Sequence, residues 1–236
     1  MIEIAVINES TVVTDADAQT CAAALEQQAK LDFDPVWDVG EVVIAFVPKG
    51  ADASGMWQLV ILDDSDQADA LGYHELTADG LPIGKIFAKS DLDAGTSWTV
   101  TASHELLEML GDPDINKVAE ADNDDGTITM YAWEVCDAVE ADALGYQIGG
   151  VLVSDFVTPK WFRPRSPGPW SFKGNAGGPF ALAAGGYIGV LNVDAGAGWT
   201  QITADGKPGP AAPAGSRRAR RRMPDREWRR SERRAR

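Results

Sequence analysis

The stretch "TASHELLEMLGDPD", residues 101–114, carries His104, Glu105, Glu108 and Asp114. Imidazole nitrogen and carboxylate oxygen are the donors that hold a divalent cation, and a carboxylate beside such an ion can act as a general base. On a helical wheel at about 100° per residue, His104, Glu108, Thr101 and Glu105 share one arc. Met109, Ala102, Leu106, Leu110, Ser103, Leu107 and Val100 fill the rest. His104 and Glu108 are one turn apart, close enough to share an ion. An amphipathic helix with a solvated His-Glu-Glu face explains the same wheel. Gly111 is expected to end the helix in the left-handed conformation. Asp112-Pro113-Asp114 would then swing Asp114 back toward His104 and Glu108.

Those residues need a scaffold. "IEIAVINE" (2–9) reads as a strand and "TDADAQTCAAALEQQAKLDF" (14–33) as a helix with Thr14 or Asp15 as N-cap. "EVVIAFVP" (41–48), "MWQLVILDD" (56–64) and the short "IGKIFAK" (83–89) read as strands. A strand–helix–strand start implies a parallel crossover, and the closely spaced later strands favour a mixed sheet under the helix of 101–111. Farther on, "DNDDG" (122–126) is a turn leading into the strand "TITMYAW". "YQIGGVLVSDF" is a strand pair with a Gly-Gly turn, and "YIGVLNVDAGAGWTQIT" a terminal hairpin. Residues 163–180 form an irregular loop held down by Trp170 and Phe172. The fold class is α/β (α+β): 1–115 with two main helices, a β-rich part over 116–206, then a linker and a disordered Arg-rich tail over 207–236.

"HELLEMLGDPD" resembles the metzincin signature HExxHxxGxxH, or its variant ending in Asp, and residues 1–115 resemble the zincin N-terminal subdomain in element order. The resemblance implies that His104, Glu108 and Asp114 hold one divalent metal, zinc first, with Mn²⁺ or Ca²⁺ as alternatives. It also implies that Glu105 is the general base of a peptidase acting on a peptide or protein substrate, and that "IGKIFAK" is the edge strand that aligns it. Glu108 stands where the family has His. Two carboxylates on the ion lower its Lewis acidity and move its preference toward harder cations. Both changes bear on peptide hydrolysis rather than on metal binding. Glu134, in "YAWEVCDAVE", is the reserve third ligand at the interval of the other main zincin class, with Asp137 beside it. Met130 reads as a core residue of its strand rather than as the family's methionine turn. "SHELLEMLGDP" and "VSDFVTPKWF" also resemble proteins from bacterial and phage genomes. That suits a second reading, a non-catalytic structural or interaction protein assembled into a larger particle such as a virion.

The remaining signals are weaker. His74, in "LGYHELT", reads as a surface or hydrogen-bonded loop residue. The acidic loop "DDSDQAD" (63–69) has no ligand spacing that demands calcium. Cys21 and Cys136 are the only cysteines; one disulfide is conceivable, but free buried thiols fit an unexported chain better. At 236 residues with 44% hydrophobic content, the chain supports one sizeable core. No apolar run approaches the roughly 20 residues of a membrane span, and the start lacks a basic, apolar leader. The cytoplasm or a virion is the expected location, with no membrane partner. The net charge of −15 hides an asymmetry. From Ser216 onward 11 Arg face three acidic residues, while the rest of the chain is strongly acidic and should repel nucleic acid. The tail is open to three readings: an arm for nucleic acid or an acidic protein surface, a strap docking on the acidic body, or an extension without function.

Overall fold

The computed structural model describes residues 1–67, 70–194 and 198–206. The expected linker and Arg-rich tail, 207–236, lie outside the described residues. Strand β1 (Ile2–Asn8) leads through helix α1 (Asp15–Gln27), a π-helical segment (Gln28–Phe33) and short α2 (Asp34–Trp37) to β2 (Val42–Val47). Then come β3 (Trp57–Leu62), β4 (Gly72–Leu76), β5 (Pro82–Phe87), α3 (Ala88–Ala94) and α4 (Trp98–Gly111). The five strands form one mixed sheet in the order β2-β1-β3-β5-β4. Every pairing is parallel except β4 with β5, so the expected parallel crossover is present. The Thr14 hydroxyl accepts from the Asp17 N–H at 3.1 Å and caps α1, while Asp15 and Asp17 meet the positive end of its dipole.

Period-two alternation puts Ile4, Val6, Val42, Ile44, Leu59, Ile61 and Ile86 on one sheet face. They join Cys21, Ala22 and Leu25 of α1 and Ala102, Leu106 and Met109 of α4 in one apolar cluster. The two long helices therefore lie on the same face of the sheet. They are tied polar to polar where the Ser103 hydroxyl donates to Gln28 Oε1 at 2.7 Å.

Two elements differ from expectation. The edge strand is β4, not the 83–89 stretch; β5 lies inside the sheet between β3 and β4. And "LGYHELT" is not a loop, because Gly72–Leu76 forms that edge strand. Its glycine seats the helix. A Cβ on Gly72 would come 2.5 Å from Thr101 Cγ2, and one on Gly84, paired with His74 across the ladder, 2.7 Å from Leu59 Cδ1 and 3.0 Å from Met109 Sδ. With both side chains absent, α4 settles against the edge of the sheet, and His74 shares that face.

The later part is β-rich, as the alternation predicts. Strands β6 (Val118–Asp122), β7 (Ile128–Ala132), β10 (Tyr187–Asn192) and β11 (Thr200–Thr203) make an antiparallel sheet in the order β11-β10-β7-β6. Between them β8 (Tyr146–Ile148) and β9 (Val151–Val153) pair across the Gly149-Gly150 turn. Met130 is fully buried within β7. Residues 163–180 are irregular apart from a bridge at Ser171, and Phe172 stacks on Phe156 at 5.0 Å. Among the described residues no helix is long and apolar enough to cross a membrane.

Candidate metal centre

Every residue of α4 from Ala102 to Gly111 is buried, including His104, Glu105 and Glu108. That removes the solvated-face account of the wheel, because the polar arc faces the protein interior. The polar arc meets two other pieces of chain. From the sheet edge comes His74, whose Nδ1 lies 2.9 Å from Glu105 Oε2 and 3.5 Å from Glu108 Oε2. From the far side comes the segment after β7, with Glu134 Oε2 3.9 Å from His74 Nε2 and Asp137 Oδ1 3.2 Å from His104 Nε2. Within α4 itself, His104 Nε2 and Glu108 Oε1 are 3.1 Å apart.

The segment is held in place at several points. Trp133 stacks on Phe162 at 4.2 Å and meets Trp37 edge-on. The Val157 N–H donates to Val135 O at 2.7 Å, and the Ala183 N–H to Ala138 O at 2.9 Å. Between these anchors the chain makes a tight 3-10 turn, Asp137–Val139. The Cys136 N–H then points at Glu108 Oε1, 3.4 Å away.

Asp114 does not join the site. It is exposed in the turn after α4 and belongs to neither donor group found among the described residues. Asp112 explains why. It is fully buried and spends its carboxylate on the turn, accepting from the N–H groups of Asn116 (3.2 Å) and Lys117 (2.9 Å). In this turn Asp114 is left exposed, while Ile115, with a positive φ of 53°, turns back into the core. Gly111 is also not the left-handed cap; it is the last helical residue, followed by Asp112 at φ −143°. Its lack of a side chain serves packing, since a Cβ there would sit 2.9 Å from Val135 Cγ1, on the segment that delivers Glu134 and Asp137.

The reserve residue Glu134 is at the centre, and so are Asp137 and His74. The donor atoms of His74, Glu108 and Glu134 lie within 4.8 Å of one another, as do those of His104, Asp137 and Glu140. His74 reads as a surface or hydrogen-bonded loop residue because a five-residue edge strand with a glycine resembles a loop; the hydrogen bond is present, to Glu105, but the element is a strand. One signal was available: the chain has two histidines, each followed by Glu-Leu.

Burial sets the electrostatics. It pushes the Glu108 carboxyl up to about 8, helped by Asp137 and Glu134 and opposed by His104. For His104, burial works against the charged form, but Glu108 and Asp137 outweigh it and hold the imidazole well above its ordinary value. For His74, burial again opposes, and Glu105, Glu134 and Glu108 prevail. Four buried carboxyl groups, Glu105, Glu108, Glu134 and Asp137, thus crowd around two imidazoles. Ionising all four there is costly without a cation. One atom fits that cation directly: His74 Nε2 is buried and makes no hydrogen bond, while Nδ1 on the same ring is held by Glu105. A histidine tied to a carboxylate through one nitrogen and open at the other is the usual posture of a metal ligand.

Cys136 is buried, and burial raises its thiol well above the ordinary value; Cys21 is likewise buried and pushed up to about 12. Both are free thiols. The acidic 63–69 loop, as far as it is described, uses Asp63 to accept from Ser10 Oγ (2.6 Å) and the Thr11 N–H (2.7 Å). No protein-family model, curated protein or solved structure matches the chain.

Proposed function

We propose that this protein is a divalent-cation-dependent, zincin-like hydrolase acting on peptide bonds. In this reading His104 and Glu108 hold the cation together with carboxylates from the 134–137 segment rather than with Asp114. The observation that carries the reading is the buried convergence of His104, Glu108, His74 and Asp137, with His74 Nε2 left without a hydrogen bond. A cation bound there supplies Lewis-acid polarisation of a substrate carbonyl. The donor set of imidazoles and several carboxylates suits Mn²⁺ as well as Zn²⁺. With a cation bound, Glu105 would take a proton from the attacking water and deliver it to the leaving amine. Its hydrogen bond to His74 Nδ1 fixes the carboxylate in orientation and the ring with it.

A second reading, a non-catalytic scaffold of the kind that serves in a larger particle, is favoured by one observation. The side chains of His104 and Glu105 are only 9% and 5% exposed, which leaves a substrate little approach. The test joins metal content with casein cleavage in wild type, His104→Ala and Glu105→Gln. The hydrolase predicts that His104→Ala loses metal and that Glu105→Gln keeps metal but loses cleavage. Metal without cleavage in wild type selects the scaffold. Metal retained by His104→Ala removes the site altogether.

A further inference from the structure

The donor atoms fall into two groups rather than one. We infer that the centre holds two divalent cations bridged by the Glu108 carboxylate, one on the His74 side and one on the His104 side. The inference rests on the metal-binding reading and extends it.

Glu108 is the pivot. Its Oε2 lies 3.5 Å from His74 Nδ1 and its Oε1 3.1 Å from His104 Nε2, so its two oxygens face two different imidazole rings. A carboxylate in that position bonds one cation through each oxygen, the arrangement by which paired metals about 3.5–4 Å apart are held in two-metal sites. Each side has its own remaining donors. Glu134 completes the group with His74 and Glu108, while Asp137 and Glu140 form the group with His104.

One buried atom on the first side has no hydrogen bond: His74 Nε2, on a side chain 1% exposed. On the second side Asp137 Oδ1, on a side chain 2% exposed, faces His104 Nε2 at 3.2 Å. A cation on the His104 side alone would leave His74 Nε2 buried without a hydrogen-bond partner, at the cost that accompanies any buried unpaired polar group.

Charge points the same way. Glu105, Glu108, Glu134 and Asp137 are buried carboxyl groups and Glu140 is half-buried. Imidazoles that ligate are neutral, so the positive charge these groups need comes from the cations, and each divalent ion offsets two carboxylates.

The test uses the full chain loaded with Mn²⁺ and freed of excess ion. Metal analysis should find two Mn²⁺ per chain. The low-temperature electron paramagnetic resonance spectrum should show an exchange-coupled pair, with hyperfine spacing half that of an isolated ion. His74→Gln and His104→Gln should each reduce the content to one ion and restore the isolated-ion sextet. Circular dichroism of each variant separates this from unfolding, and the wild-type spectrum stands without any variant. One uncoupled Mn²⁺ per chain, lost in His104→Gln and kept in His74→Gln, would overturn the bridged pair and leave the single-ion hydrolase standing. No bound Mn²⁺ in wild type would overturn both.

Discussion

Two acidic segments follow α4, and they behave in opposite ways. The first, Asp112-Pro113-Asp114, is adjacent to His104 and Glu108 in sequence, yet it faces away from them. The second, Glu134 to Glu140, arrives only after the whole β6–β7 hairpin, yet it supplies Glu134 and Asp137 at ion-pair distance. Position along the chain is the reason. A residue just past a helix meets the unpaired N–H groups of the turn that follows, and its carboxylate is drawn into accepting from them. Asp112 does this, and Lys117 Nζ donates to Gly111 O at 2.8 Å on the same end. A segment returning from a distant hairpin has its backbone held by other partners, here Val157 and Ala183, so its side chains are left for the site.

The comparison breaks most sharply at Asp137. Asp137→Ala should weaken divalent-cation binding by more than the roughly 10–100-fold that loss of an orienting outer partner costs, because it removes a donor itself. Isothermal titration with Mn²⁺ or Zn²⁺ measures this. Affinity unchanged within error would return the third-ligand position to another residue.

Gly111 comes next, because it is where the end of α4 touches the second segment. Gly111→Ala places a Cβ 2.9 Å from Val135 Cγ1, and relieving that overlap should cost about 1–3 kcal/mol of stability. The displaced Val135 lies next to Glu134, so metal affinity should fall alongside the denaturation midpoint. A stability loss with affinity intact would show that the segment yields without moving its donors.

How far the sequence discloses this site follows from the same contrast. Local signals are legible. The Thr14 cap, the 122–126 and Gly149-Gly150 turns and the polar arc of α4 all depend on residues within a few positions of one another. The arc does hold His104, Glu105 and Glu108 together. What the arc faces is a tertiary matter. Pattern alone cannot tell a solvated polar stripe from a buried one, and His74 and Asp137 reach it across the sheet edge and around a second sheet. Gly111 is instructive because a glycine at a helix end satisfies both a left-handed cap and a close packing contact, and only the neighbour Val135 distinguishes them.

Asp91 sharpens the comparison from the other end of α4. It is fully buried in α3, where its Oδ1 accepts from the hydroxyls of Thr96 and Thr101, each at 2.9 Å, and it lies outside both donor groups. Burial, with help from Asp142 and Glu105 and against Thr101 and Thr96, pushes its carboxyl up to about 6. A raised carboxyl favours folding in its protonated form. Its contribution is therefore complete below the unfolded value near 4 and is lost as pH rises through about 6. Asp91→Asn removes that titration, so the difference between wild-type and variant melting temperatures should change by roughly 4–8 °C between pH 4 and 6. A difference flat across that window would mean that the carboxyl titrates as it would in water.

Asp114 carries the smallest expected effect and bears most directly on the contrast. It is an exposed turn residue, whereas Asp112 beside it is buried and bonded. Asp114→Ala should therefore change stability by no more than about 0.5 kcal/mol, as surface substitutions do. Cation affinity should stay at the wild-type value. Asp112→Ala in parallel should lower stability by about 1–3 kcal/mol, since the Asn116 and Lys117 N–H groups lose their acceptor. If Asp114→Ala instead cost as much affinity as Asp137→Ala, the turn would have to reorganise on binding. The adjacent segment would then be a ligand after all.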